Sequence, residues 1–118
     1  MLREMCKSKI HGATVTDTKL HYGGSVEIDR AVLEAADILP YEKVQIVNLN
    51  NGSRIDTYAV PGRRGSGTFC LLGPAARTAQ IGDMVHVLCY GLAKEDEAAD
   101  WTCSVVTLDE KNRIAKRK

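Results

Sequence analysis

Turn signals interrupt this chain so often that no long helix has room in it. Gly23-Gly24, Asn51-Gly52, Pro61-Gly62, Gly73-Pro74 and Gly82-Asp83 punctuate the sequence. Glycine, proline and asparagine supply the backbone angles that tight turns require. Between the breaks lie short β-branched or alternating runs, which suit a pleated surface. Lys7 to Val15 reads as extended, with Ile10, Ala13 and Val15 inward. Asp17 to Lys19 reads as a turn, followed by Leu20-His21-Tyr22 and a short strand from Val26 to Ile28. Asp29 suits a helix N-cap, with Ile28, Val32, Leu33 and Ala36 at helical spacing and a stop before Pro40. Lys43 to Leu49 and Ser53 to Val60 flank Asn51-Gly52, the strongest hairpin signal in the chain. Alternation puts Arg54, Asp56 and Tyr58 on one face of the return strand and Ile55, Thr57 and Ala59 on the other. Thr68 to Leu72, Met84 to Tyr90 and Thr102 to Leu108 read as further strands. A helical turn fits Ala75 to Thr78, and another fits the charged stretch from Lys94 to Asp100. Six or seven short strands with one or two short helices predict a mainly β fold, a small barrel whose closure leaves few exposed edges.

The 118 residues make one domain and are too few for two of ordinary size. The formal net charge of +1 gives no basis for bulk binding to nucleic acid or a membrane surface. The one basic block, Lys116-Arg117-Lys118, reads as a frayed, solvated end. No apolar run approaches the length of a membrane span, and Met1-Leu2-Arg3-Glu4-Met5 does not read as a signal peptide. The expected location is the cytoplasm. Cys6, Cys70, Cys89 and Cys103 fit neither zinc-ligand spacing nor a dense disulfide framework. In a reducing compartment they are expected as small buried hydrophobes, and no metal site is expected.

Tyr22-Gly23-Gly24-Ser25 admits two readings. On local grounds it is a hairpin turn, because glycine takes positive φ without steric cost. The other reading is a self-cleaving bond between Gly24 and Ser25. A serine hydroxyl can attack the preceding carbonyl when that peptide is distorted, and glycine on the acyl side removes the Cβ that would obstruct it. The resulting ester undergoes β-elimination, and hydrolysis of the dehydroalanine leaves a pyruvoyl ketone. The four residues alone do not decide between these.

Over nearly its whole length the chain resembles the aspartate 1-decarboxylases, pyruvoyl enzymes that make β-alanine. The resemblance rests on Lys9-Ile10-His11, Leu20-His21-Tyr22 before Gly24-Ser25, Asn51-Gly52, Arg54, Thr57-Tyr58, Arg64-Gly65-Ser66, Gly73 followed by Ala75-Ala76, and Gly82-Asp83. Each piece is weak alone; their order and spacing in so short a chain are specific. The resemblance implies a double-psi β-barrel and a homotetramer with active sites between neighbouring subunits. It also implies self-cleavage into a β chain of residues 1–24 and an α chain of residues 25–118.

Carried over residue by residue, the family assigns roles as follows. Ser25 becomes the pyruvoyl group, the self-derived cofactor, which forms a Schiff base with L-aspartate and takes up the electrons released with CO2. Thr57 aids cleavage by hydrogen bonding near the Gly24 carbonyl and later contacts substrate. Arg54 and Lys9 supply cations for a dicarboxylate. Tyr58 is the proton donor after CO2 leaves. Gly73, Pro74 and Ala75 form the substrate-binding loop. Two positions depart from the family pattern: Leu72 stands where asparagine is usual, and Pro74 where alanine is usual. Proline has no N–H to offer a ligand. No role falls to His11, and Tyr22 is a packing or substrate-side residue. The implied function is decarboxylation of L-aspartate to β-alanine for pantothenate and coenzyme A synthesis, in some members with a maturation partner. Two alternatives stay open: an uncleaved barrel acting as a binding or assembly module, and a related decarboxylase of another acidic amino acid such as glutamate.

Overall fold

A computed structural model describes residues 1–117. The elements run in the order β1 (Leu2–Thr14), β2 (Asp17–Lys19), β3 (Ser25–Asp29), α1 (Arg30–Ala35), β4 (Lys43–Asn48), β5 (Arg54–Gly62), β6 (Phe69–Leu72), a 3-10 helix (Gly73–Thr78), β7 (Met84–Lys94), α2 (Glu95–Ala99), β8 (Ser104–Leu108) and β9 (Ile114–Arg117). The protein is mainly β, a small barrel, as its turn punctuation predicts. Its strands follow the ladder order β2-β6-β3-β5-β4-β7-β1-β8-β9. Three neighbouring pairs, β1 with β8, β2 with β6, and β3 with β5, are parallel and join strands far apart in sequence.

Alternation drives the core. Ile10, Val26, Ile28, Phe69, Leu71, Val85, Val87 and Val106 are all buried and belong to one continuous cluster. Helix α1 closes one side by burying Val32 and Leu33. Asp29 is its N-cap, accepting from the Ala31 amide at 2.9 Å, and it also accepts from the amides of Gly65 and Gly67. One carboxylate thus starts the helix and pins the loop between β5 and β6. Buried Asn112 does similar work elsewhere: its amide group donates to the carbonyls of Thr14 and Gly67, and its oxygen accepts from the Thr14 amide. It holds φ 59°, a left-handed angle that asparagine tolerates. The Asn51-Gly52 hairpin joins β4 to β5 as expected, with Gly52 at φ 77°.

The structure corrects several expectations. There are nine strands among the described residues, not six or seven. Asp17 to Lys19 is a strand rather than a turn, because its partner is the distant Cys70–Leu72 segment. Leu20 to Tyr22, to which the sequence assigns no element, is bent. β1 begins at Leu2 because Leu2 to Cys6 pair with the far half of β7. Lys116 and Arg117 are not frayed: they pair with Thr107 and Val106 in β9, while Lys118 lies outside the described residues. Cys70 and Cys89 are buried as expected, whereas Cys6 and Cys103 are only partly so. In these cases the deciding partner is remote in sequence, which local patterns do not record. Among the described residues no helix is long and apolar enough to cross a membrane.

Candidate active site

Gly24 precedes β3 with φ +106°, an angle that disfavours any residue with a Cβ. Ser25 is the first residue of β3, and it is 5% exposed and faces Leu72 across the antiparallel pair with β6. On the other side β3 runs parallel to β5 with Val26 opposite Ala59. One step back along both strands leads to Ser25 on β3 and Tyr58 on β5. Val26 and Ala59 are fully buried. Alternation therefore puts Ser25 and Tyr58 together on the face away from the core.

The 3-10 helix begins directly against this junction. Gly73 has φ +70°, and a Cβ there would lie 2.7 Å from the Cα and N of Gly24 and 2.7 Å from the Tyr22 carbonyl oxygen. Only glycine lets the two backbones approach so closely. Pro74 follows, its Cδ 3.7 Å from where a Gly24 Cβ would stand. Pro74 is the second residue of this helix, and a missing N–H costs little in a helix's first turn, where that donor is unpaired anyway. The departure from alanine is therefore accommodated locally, and it adds a rigid ring beside Gly24.

A cleft of about 450 Å³ opens here, lined by Gly23, Gly24, Ile55, Asp56, Thr57, Tyr58, Pro74, Ala75 and Thr78. Five of the expected site residues, Gly24, Thr57, Tyr58, Pro74 and Ala75, line this one cleft. Ser25 and Gly73 adjoin it through the backbone. Tyr58 is 40% exposed, and its ring lies 6.1 Å from that of Tyr41. Sequence reasoning left out Ile55, Asp56, Thr78 and Tyr41. Asp56 was readable from the two-residue alternation with Tyr58, and Thr78 from its place one turn after Ala75. Tyr41 had no local signal: its amide reaches the Ala59 carbonyl, a tertiary contact.

The two expected cations lie elsewhere. Arg54, at the start of β5, donates to the Gln45 side-chain oxygen at 2.7 Å. Gln45 in turn donates to Asp56 and accepts from the Tyr90 hydroxyl. A second cleft of about 330 Å³ lies on this side, lined by Glu4, Lys43, Val44, Gln45, Asp56 and Tyr90. Lys9 sits on β1, separated from β3 by β5, β4 and β7 in the ladder. Lys9 is not among the residues that line the cleft beside Gly24. Beside Lys9, the His11 and His86 rings stack at 4.1 Å, and His86 Nδ1 accepts from the Gly12 amide. Burial first, then the charges of His11 and Lys9, holds His86 below the usual histidine range. His11 is thus engaged in packing against His86.

A family model described as aspartate decarboxylase matches residues 1–115. The aspartate 1-decarboxylase of Listeria monocytogenes is 55% identical over 114 residues, covering 97% of this chain and 90% of that protein. The protein of the same name from Carboxydothermus hydrogenoformans is 53% identical over 118 residues, covering 100% of this chain and 93% of its own. That of Thermoanaerobacter pseudethanolicus is 51% identical over 113 residues, covering 96% and 97%. Similarity of this extent, spanning every strand from β1 to β8 and the Gly24-Ser25 junction at the cleft, makes this chain a member of the aspartate decarboxylase family.

Proposed function

We propose that the chain removes the α-carboxylate of L-aspartate to give β-alanine and CO2, using a pyruvoyl group made from its own Ser25. The observation that carries this reading is the junction itself: Gly24, at φ +106°, is pressed by Gly73 and opens onto a cleft with Thr57 and Tyr58. A cradle that a single Cβ would fill is what a distorted, attackable peptide needs. Coverage of 93–97% of the relatives' own length, and their shared name, support the reaction class.

In the cleavage step the Ser25 Oγ attacks the Gly24 carbonyl carbon, and the peptide C–N bond gives way to an ester. Thr57, which lines the same cleft as Gly24, donates toward the carbonyl oxygen as charge develops there. Loss of the Ser25 α-proton breaks the ester C–O bond and frees Gly24 as a carboxylate. Water then replaces nitrogen at Ser25, releasing ammonia and leaving the ketone. The chain divides into residues 1–24 and 25–118. The residues around the junction fit that ketone: it would stand at the head of β3, facing the side where Tyr58 lies. The group supplies an electron sink for the electrons freed by decarboxylation.

The chain's own residues do the rest. Tyr58 delivers a proton to the former α carbon from the neighbouring strand. The amides of Gly73 and Ala75 orient a carboxylate, and Pro74 shapes the wall between them. Arg54 and Lys9 hold substrate carboxylates from outside this cleft. Lys9 does not line this cleft, so we place it in the site of a neighbouring subunit of a homotetramer. The parallel pairings of β1 with β8 and β3 with β5 support the family's double-psi connectivity. The cell role is β-alanine supply for pantothenate and coenzyme A in the cytoplasm, with or without a maturation factor.

CO2 release from L-aspartate and L-glutamate tests the reaction and its substrate together. The expected result is CO2 from L-aspartate in the parent protein, and none from Ser25→Ala, which stays a single chain. Release from L-glutamate alone would move the assignment to another acidic amino acid. Turnover by Ser25→Ala would remove the pyruvoyl group from the account.

A further inference from the structure

Cys6 and Cys103 are 97 residues apart in sequence, yet their sulfurs lie 3.4 Å from each other. Two features hold them there. β1 and β8 run parallel with Ser8 opposite Ser104, so Cys103 enters β8 alongside the part of β1 that carries Cys6. A shift in the β1–β7 register falls between Cys6 and Ser8 and reorients Cys6. Trp101, two residues before Cys103, also donates its ring N–H to the Cys6 carbonyl at 2.7 Å. The loop bearing one thiol is thus clamped to the backbone bearing the other. Both cysteines are partly exposed, whereas Cys70 and Cys89 are buried.

We propose that Cys6 and Cys103 form a disulfide-capable pair that joins the N-terminal segment to the body of the barrel. Side-chain rotation must bring the sulfurs from contact to bonding distance, about 2.05 Å; neighbouring strands about 4.8 Å apart leave the backbones within a disulfide's reach. The oxidant is a small-molecule disulfide. Cys103 attacks one of its sulfurs, forming a mixed disulfide and releasing one small thiol. Cys6 then attacks the Cys103 sulfur and releases the second. Two protein thiols are oxidised, the oxidant is reduced to two thiols, and the two protons leave with them. The order follows from environment: burial first, and then the Cys103 thiol beside it, pushes the Cys6 thiol up to about 11. Cys6 is therefore the poorer first nucleophile.

The consequence depends on the cleavage proposed above; the cross-link does not. Cys6 lies in residues 1–24 and Cys103 in residues 25–118. In a cleaved chain the disulfide would tie together two polypeptides otherwise held only by pairing and packing.

The purified protein is incubated with oxidised glutathione, alkylated, and digested without reductant. The expected product is a Cys6 peptide joined to a Cys103 peptide, two hydrogens lighter than their sum, with Cys70 and Cys89 alkylated. On a non-reducing denaturing gel the two fragments should run as one band, separating with dithiothreitol. Cys103→Ser should give separate fragments throughout. The inference is overturned if each thiol carries glutathione separately, if both remain free, or if the link joins different copies and runs as a dimer. Should the chain be uncleaved, the gel shows one band regardless, and the peptide map still decides the cross-link.

Discussion

Ser25 and Tyr58 fall on one face because β3 and β5 lie parallel with Val26 against Ala59. That register supports the role proposed for Tyr58: the phenol shares a face with the proposed site of the electrophile. Tyr58→Phe should therefore cleave normally but lose roughly 10²–10⁴-fold in turnover, the usual range for a general acid. Electrophoresis for cleavage and CO2 release for turnover separate the two effects, and near-normal turnover would withdraw the assignment. Gly24, Thr57 and Tyr58, which line the cleft, were reached through the family resemblance; by local pattern they read as a turn glycine and two ordinary strand residues. Arg54 and Lys9 were legible as types, cations for a dicarboxylate, but not as places. Arg54 is hydrogen-bonded to Gln45, and Lys9 lies across the sheet. A sequence names the charges, whereas only strand order says which side of the barrel they occupy.

Among the elements, α1 and the loop before β6 depend on one carboxylate. Burial alone would raise the pKa of Asp29; the amides of Gly67, Gly65 and Ala31 outweigh it and hold the group below the usual carboxylate range. A lowered folded pKa gives stability that is whole above the ordinary aspartate value of about 3.9 and is lost as pH falls through the folded value. Asp29→Asn should destabilise the protein by about 1.5–3 kcal/mol at neutral pH, as expected for lost hydrogen bonds to a charged group. The gap to the parent should narrow as pH falls below about 4. Chemical denaturation across that range measures it, and a gap that widened with acid would contradict the role. The cap, the α1 register and the Asn51-Gly52 hairpin were readable because their interactions are local. β2, the bend after it, the first residues of β1 and the β9 pairing were not, since each is decided by a partner far along the chain.

At the scale of the whole molecule, Lys9 lies outside the cleft beside Gly24. The proposal that it serves the site of a neighbouring subunit in a homotetramer is tested by subunit mixing. Lys9→Ala and Ser25→Ala should each be nearly inactive alone. Co-expressed, some sites would combine an intact Ser25 with an intact Lys9 from the neighbour, and activity should return in part. No recovery in a verified mixed oligomer would leave Lys9 without a substrate role. The intact mass of the purified, reduced protein bears most directly on the central claim. Two species are predicted, residues 1–24 ending in a free carboxylate and residues 25–118 lighter by one ammonia than a serine-started fragment. A single full-length chain that turns over L-aspartate would contradict it.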